Sequence, residues 1–416
     1  MHCKSDCIGR STVISRGGIL MHISWKHLTT ALFAVCFIAA TPGWTWGTDW
    51  LIETVDEGPS YSRVGKWCSI ALDSQAHPHI SYHQPNQDNL RYAHRAAGTW
   101  SVQIVDTNYT TGEYTSITLD SNDHPHISYY ATSYWRDPDN AYTSMARKLR
   151  YASWDGSSWN RQTLDETSAN TGEWTSIAID GDDRPHISYD RAGGLGYARW
   201  DGACWHYQSL GGGGQYTSIA LDGVDQPHIS WGQRSGNYDV KYVFLDNGTW
   251  TTQGVLSHAE PGPTTSLALD SNDVPHVVFY RWREDELVYA VWENGAWSME
   301  TVDNDGVGSW CAIAVDDNDV PHVSYYNEAL GDLMYARRAG ASWSTETVDS
   351  LSDVGQYSSI GVDQWGHVHI AYYDSLNGDL KYATTAIPEP GTLALVAGAT
   401  LVGFARRRRQ TRRRQP

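Results

Sequence analysis

The chain has 416 residues, with 20 Trp, 25 Tyr and 38 Gly against only 5 Phe, and a net charge of −18. Both ends are basic, so residues 47–387 hold −27. A body this acidic is repelled by nucleic acid and by anionic membrane surfaces, which excludes both as its partners.

Residues 1–20 read as an upstream overcall of the start, because a leader begins at Met21. The stretch "MHISWKHLTTALFAVCFIAATPG" has a basic beginning, an apolar run from Leu28 to Ala40 and small residues at Ala39 and Ala40. That is the layout of a secretory signal peptide over residues 21–46, passed through the Sec translocon and cut near Ala40.

A single β-segment, "WLIETVD" from Trp50 to Asp56, comes next, and then a repeat begins. Its landmark is an Asp at Asp73, Asp120, Asp180, Asp222, Asp270, Asp316 and Asp363. Eight residues before each stands a Gly, and six after each a His: His79, His126, His186, His228, His276, His322 and His369. Each unit reads as four short strands. The third is centred on Tyr92, Tyr151, Tyr197, Tyr242, Tyr289, Tyr335 or Tyr382, and the fourth begins at a Trp. β-formers bounded by Gly, Asn, Asp and Pro, at a period of about 45 residues, predict an all-β fold: a seven-bladed β-propeller over residues 47–387 with four antiparallel strands per blade. The last unit stops after its third strand. "WLIETVD" resembles the fourth strand "WSTETVD" from Trp343 to Asp349, so the N-terminal strand is expected to close the last blade and cover its open edge. An open solenoid, the alternative, needs polar capping repeats, and none is apparent.

The "DSNDHPHIS" type of stretch is a hairpin in which Asp and Asn suit the turn and Pro opens the next strand. The seven Asp–His pairs are expected to be turn tethers. Equivalent His on sheets about 10 Å apart do not converge on one ion, so no metal site is expected from them. Calcium is the lesser cofactor alternative, suggested by "DGDDRP" and "DDNDVP" and weakened by Val224 and Trp365 at the second turn position. Just ahead of the first strand of six units stand Trp67, Tyr114, Trp174, Tyr216, Trp310 and Tyr357, with Thr264 in the fifth. Before them come Lys66, Glu113, Glu173, Gln215, Pro263, Ser309 and Gln356. These positions ring one mouth of a propeller channel. Aromatic rings beside carboxylates and amides suit a sugar, and packing between blades is the plainer reading. The insertion "ATSYWRDPDNAYTSMARK", 131–148, is expected to be a long loop on the same face, carrying Trp135 and Arg136. Among the cysteines of the body, Cys68 and Cys311 replace Thr or Ser at one repeat position and so read as small buried fillers; an odd count of three, with Cys204, makes no disulfide framework.

The turns "WDGSSW" (154–159) and "WDGACW" (200–205) resemble those of the sialidase-like propellers with Asp-boxes and of the fucose-specific fungal lectins, although the full Ser-x-Asp-x-Gly-x-x-Trp box is not met. The resemblance implies a glycan-directed propeller. A sialidase also needs an arginine triad, and Arg136, Arg234, Arg281 and Arg283 are not marked as a set. The C-terminus, 388–416, has Pro388-Glu389-Pro390, a 15-residue apolar run from Gly391 to Ala405 and an Arg cluster. It resembles the PEP-CTERM sorting signal of Gram-negative bacteria. That resemblance implies an exosortase-type protease as partner, transient membrane contact through the apolar segment, and export to the cell surface or extracellular matrix.

The expected function is therefore a non-catalytic binding module for polysaccharide or glycoprotein, with no assigned catalytic residue. Its candidate ligand residues are Trp67, Glu113, Tyr114, Glu173, Trp174, Gln215, Tyr216, Trp310, Gln356, Tyr357, Trp135 and Arg136. A glycan-cleaving hydrolase using Glu113 and Glu173 is one alternative, and a structural or protein-binding scaffold is the other.

Overall fold

A computed structural model of the chain describes residues 49–58, 63–108, 110–136, 143–166, 170–233, 239–259, 261–306 and 308–386. The expected leader and the sorting tail with Pro388, Glu389 and Pro390 lie outside the described residues. Twenty-eight strands form seven four-stranded antiparallel sheets, a seven-bladed β-propeller. Blade 1 runs Lys66–Leu72, Pro78–Gln84, Asn89–Ala96 and Thr99–Asp106. The innermost strands of blades 2 to 7 are Thr110–Leu119, Ser176–Ile179, Gln215–Leu221, Pro261–Leu269, Ala312–Val315 and Val354–Val362.

The ring closes as the sequence predicts. Leu51–Asp56 pairs antiparallel with Asp379–Thr384, placing Leu51 opposite Thr384 and Glu53 opposite Tyr382. Its side chains also reach both neighbours of blade 7. Trp50 Nε1 donates to Glu346 of blade 6 at 3.0 Å. Glu53 accepts from Arg95 and Trp100 of blade 1 at 2.8 and 2.9 Å, and Asp56 accepts from Tyr82 at 2.6 Å and from Arg91. The core lies between blades. At the closing junction Val55, Ile70, Tyr82, Leu380 and Tyr382 pack together, each buried aliphatic side chain contributing about 1.5–3 kcal/mol.

Neighbouring inner strands are also stitched by hydroxyls. Ser69 Oγ accepts from Ile117 N, and the same bond recurs from Ser116, Ser176, Ser218, Ser266 and Ser359 to the next blade, each at 3.0–3.2 Å. One position earlier, Thr115, Thr175, Thr217, Thr265 and Ser358 each pair with a Ser of the preceding blade. The two exceptions are Cys68 and Cys311. Both are buried free thiols, and the preceding blade supplies Ala371 and Val278 where the others supply Ser. Replacing both members of a buried hydroxyl pair by groups that need no bond is close to neutral. The substitutions therefore come in pairs.

The expected long loop is mostly not a loop. The strands Pro125–Arg136 and Thr143–Trp154 carry their pairing out to Arg136 opposite Thr143, a two-stranded ribbon rising from blade 2. β-rich, largely unbroken sequence on both sides of the insertion lets the ladder run on.

Candidate functional site

Each first strand runs from the channel mouth to the Asp turn, so the two faces of the disc carry different chemistry. On the turn face, each repeated Asp accepts through Oδ1 from the backbone amides two and four residues on, as in Gln75 and His77 to Asp73 at 2.9 and 2.7 Å. The repeated His Nε2 lies 3.2–3.7 Å from the other carboxylate oxygen in all seven blades. His Nδ1 bonds the third-strand Tyr hydroxyl in every blade, at 2.6 Å for His79–Tyr92 and 2.7 Å for His186–Tyr197. Every blade thus holds an Asp–His–Tyr chain from turn to third strand. The Tyr was visible in the sequence as a constant of the repeat; its pairing with the His was not, because it is a cross-strand contact set by register. Each Tyr ring then meets edge-on the fourth-strand Trp of the next blade, including Tyr335 with Trp50 and Tyr382 with Trp100 at the closure, both at 5.3 Å. The WDG turns work as local caps: Asp155 Oδ1 accepts from the amides of Ser157 and Ser158 at 2.8 Å, and Asp201 Oδ1 from those of Ala203 and Cys204 at 2.8 Å.

At the opposite mouth the six aromatics have φ between 50° and 67°, the left-handed region that bulky residues avoid, and those of blades 1, 2, 4 and 7 sit at β-bulges. Three features hold them there. A Gly stands two residues earlier; a Cβ on Gly112 would lie 2.9 Å from Leu90 Cα of blade 1, so no other residue fits. The register slips by one residue, as between Lys66 and Ser69. The carbonyls of Trp174, Tyr216 and Trp310 accept from Thr217, Thr265 and Ser358 at 2.6–2.7 Å, and that of Tyr357 from the Cys68 thiol at 3.0 Å. Backbone strain kept by this many contacts is a feature of ligand-handling sites.

The rings converge on the axis. Trp67 lies 4.2 Å from Tyr114, 4.5 Å from Tyr357 and 5.2 Å from Trp310 across blade 7. Tyr114, Trp174 and Tyr216 continue the arc at 5.2 and 5.0 Å, and Thr264 of blade 5 leaves its gap. The space enclosed with the Thr, Ser and Cys beneath is only about 140 Å³, below the range of a small-molecule pocket. The rings are therefore a floor over the channel and not the walls of a deep hole.

Half-buried polar groups border this floor: Lys66, Glu113, Glu173, Gln215 and Gln356. Glu173 accepts from Tyr130 at 3.3 Å, with Arg147 3.8 Å away. Burial, then Asp88 and Glu173, push the Glu113 carboxyl above its ordinary value. Burial raises nearby Asp190 to about 6. Burial, with Arg63, holds Lys66 low. Tyr130 and Asp190 are members of this border that the repeat positions did not single out; Lys66 stands at such a position but was not among the candidate ligand residues. On blades 5 to 7 the loops of this face expose Trp282, Leu330, Leu351 and Leu376. Trp135 and Arg136 end the blade 2 strand, and their side chains, with Arg234, lie outside the described residues. Arg281 is engaged by Glu284 and Glu286 at 2.9 and 2.8 Å.

The chain carries the PEP-CTERM protein-sorting motif at residues 386–409, which marks it for exosortase processing, export and surface sorting in Gram-negative bacteria. It is thus an exported seven-bladed propeller. No curated protein matches its sequence. Among solved structures, a Dyadobacter fermentans protein of unknown function is 10% identical with a TM-score of 0.50, over 80% of this chain and 98% of that one. A polysaccharide lyase of the ulvan lyase family PL25, bound to -[GlcA(1-4)Rha3S]-, is 12% identical with a TM-score of 0.52, over 79% and 94%. The leech intramolecular trans-sialidase is 12% identical with a TM-score of 0.43, over 80% and 70%. At these identities the likeness to the first two is one of fold.

Proposed function

We propose that this exported propeller is a non-catalytic binding module that recognises a polysaccharide or glycan chain across its aromatic floor and so holds to the extracellular matrix. The carrying observation is the set of six aromatic residues at positive φ, converging on the channel mouth and bordered by carboxylates and amides. Flat rings take the apolar faces of sugars, and the border groups take hydroxyls. A floor with little volume beneath it suits a chain lying across the mouth better than a monomer swallowed whole. The test is binding of the full-length chain to a polysaccharide and glycan panel. Trp67→Ala and Trp310→Ala are each expected to weaken the best ligand about tenfold or more, the loss of one interface anchor, with the fold intact by circular dichroism. Unchanged binding in both variants contradicts the reading.

A second reading, glycan cleavage, is favoured by two half-buried carboxyls on adjacent blades, Glu113 and Glu173, with burial raising that of Glu113, since glycoside hydrolysis uses a pair of carboxyl groups flanking the scissile bond. Glu113→Gln abolishes turnover on that reading; on the first there is no turnover to lose, and the variant only weakens binding.

A further inference from the structure

The seven Asp–His–Tyr chains are not equivalent. The third-strand residue opposite the repeated His is Ser153, Arg199, Phe244, Val291, Arg337 or Thr384 in blades 2 to 7. In blade 1 it is His94. The turn of blade 1 adds His77, whose Nδ1 lies 2.9 Å from Asp73 Oδ2. One Asp and three His therefore gather in this blade alone. Ligand atoms of Asp73, His79 and His94 all lie within 4.8 Å of one another, and the His79 and His94 rings are 4.2 Å apart. His79 is 4% exposed, and its Nε2, facing this group, has no hydrogen-bond partner. Its 3.7 Å to Asp73 is the longest such distance of the seven.

We propose that Asp73, His79 and His94 hold a divalent transition-metal ion of the zinc class, with His77 orienting the carboxylate. Two imidazoles and a carboxylate suit zinc, nickel or copper and not calcium, which takes oxygen ligands. Ligands about 2.0–2.1 Å from zinc lie roughly 3.4 Å apart, so the group closes with shifts of about 1 Å or less. The ligand state is prepared. His79 Nδ1 at 2.6 Å from the Tyr92 hydroxyl can donate to it, leaving Nε2 bare for the metal, and this outer bond fixes the ring. Solvent reaches Asp73 through a cavity of about 200 Å³ between blades 7 and 1, lined by Ala76, Asp363 and Gln364 among others. The ion would pin the hairpin of blade 1 to its third strand beside the junction where the ring is closed.

The test uses the full-length chain carrying Cys204→Ser, which disables the exposed Asp201–Cys204–His206 group, a second candidate metal holder. After chelator treatment it is titrated with Zn²⁺ by calorimetry and with Co²⁺ by visible absorption. One ion per chain is expected, with a rise in Tm. His94→Ser is expected to lower the Zn²⁺ affinity more than about 100-fold, beyond the loss seen for outer-shell changes. Blade 2 already has Asp120, His124 and His126, so Ser153→His is expected to add a second ion. Absence of micromolar binding, or equal affinity in the His94→Ser chain, overturns the proposal. If that variant fails to fold, Ser153→His decides, and no added ion overturns it.

Discussion

The five junctions from blade 1 to blade 6 and the two that flank blade 7 are built differently on the turn face. At the five, the residue after the repeated Asp donates its backbone amide to an Asp three places into the next turn: Ser74 to Asp123, Ser121 to Asp183, Gly181 to Asp225, Gly223 to Asp273 and Ser271 to Asp319, at 2.8–3.0 Å. At the other two the accepting position is Gly366 or Ala76, which has no carboxylate. The stitch from inner-strand Ser also fails from blade 6 to blade 7, where Ala312 stands in its place. Blade 7 keeps contacts of the kind that join other blades: Lys381 and Tyr372 meet Asp349 of blade 6 as Arg150 and Tyr129 meet Asp106, and Glu53 and Asp56 of the borrowed strand meet blade 1. With no carboxylate tether on its turn face, blade 7 leans more on the borrowed strand and these contacts.

Removing residues 49–56 should break the contrast outright. The last sheet loses its fourth strand and blade 1 loses the Glu53 and Asp56 contacts. A loss of at least about 5 kcal/mol, comparable to the stability of many domains, is expected as aggregation or a non-cooperative denaturant transition. Acid is the next largest perturbation and acts on all blades. Burial, opposed by the Asp partners, holds His126, His186, His228, His276, His322 and His369 below the ordinary imidazole value. The unfolded chain takes up these protons near pH 6.5 and the folded chain only lower. This stability is therefore fully present above about pH 6.5 and lost as the pH falls, read as a falling denaturation midpoint.

Asp56→Ala strands Tyr82 and Arg91 in a largely buried site and should cost about 2–3 kcal/mol, measured by urea unfolding. The smallest effect sharpens the comparison by repair. Ala76 sits at φ 61°, a conformation Asp tolerates better. Ala76→Asp should supply the missing tether to the amide of Gln364 and raise stability by about 1 kcal/mol.

Architecture was legible in the sequence because repetition makes it so. The Asp, His, Tyr and Trp recur at register positions, and the match of "WLIETVD" to "WSTETVD" located the closing strand. The Asp–His pairs stood out because both lie on one short hairpin. Contacts that join separate strands or blades were not legible: His to Tyr, Cys68 with Ala371, and His94 beside His79. Their sequence separation depends on loop lengths that vary between blades. The aromatic positions were legible as a ring, but their convergence into a floor follows from bulges and left-handed backbone that no residue pattern announces. The ribbon of blade 2 was misread as a loop because its length hid a continuing ladder.

The most direct test of the closed ring is hydrogen–deuterium exchange across Leu51–Asp56 in the intact chain. Amides of this strand that exchange as slowly as those of Asp379–Thr384 agree with a sheet completed from both chain ends. Exchange at the rate of a free terminus, with Asp379–Thr384 equally unprotected, contradicts it.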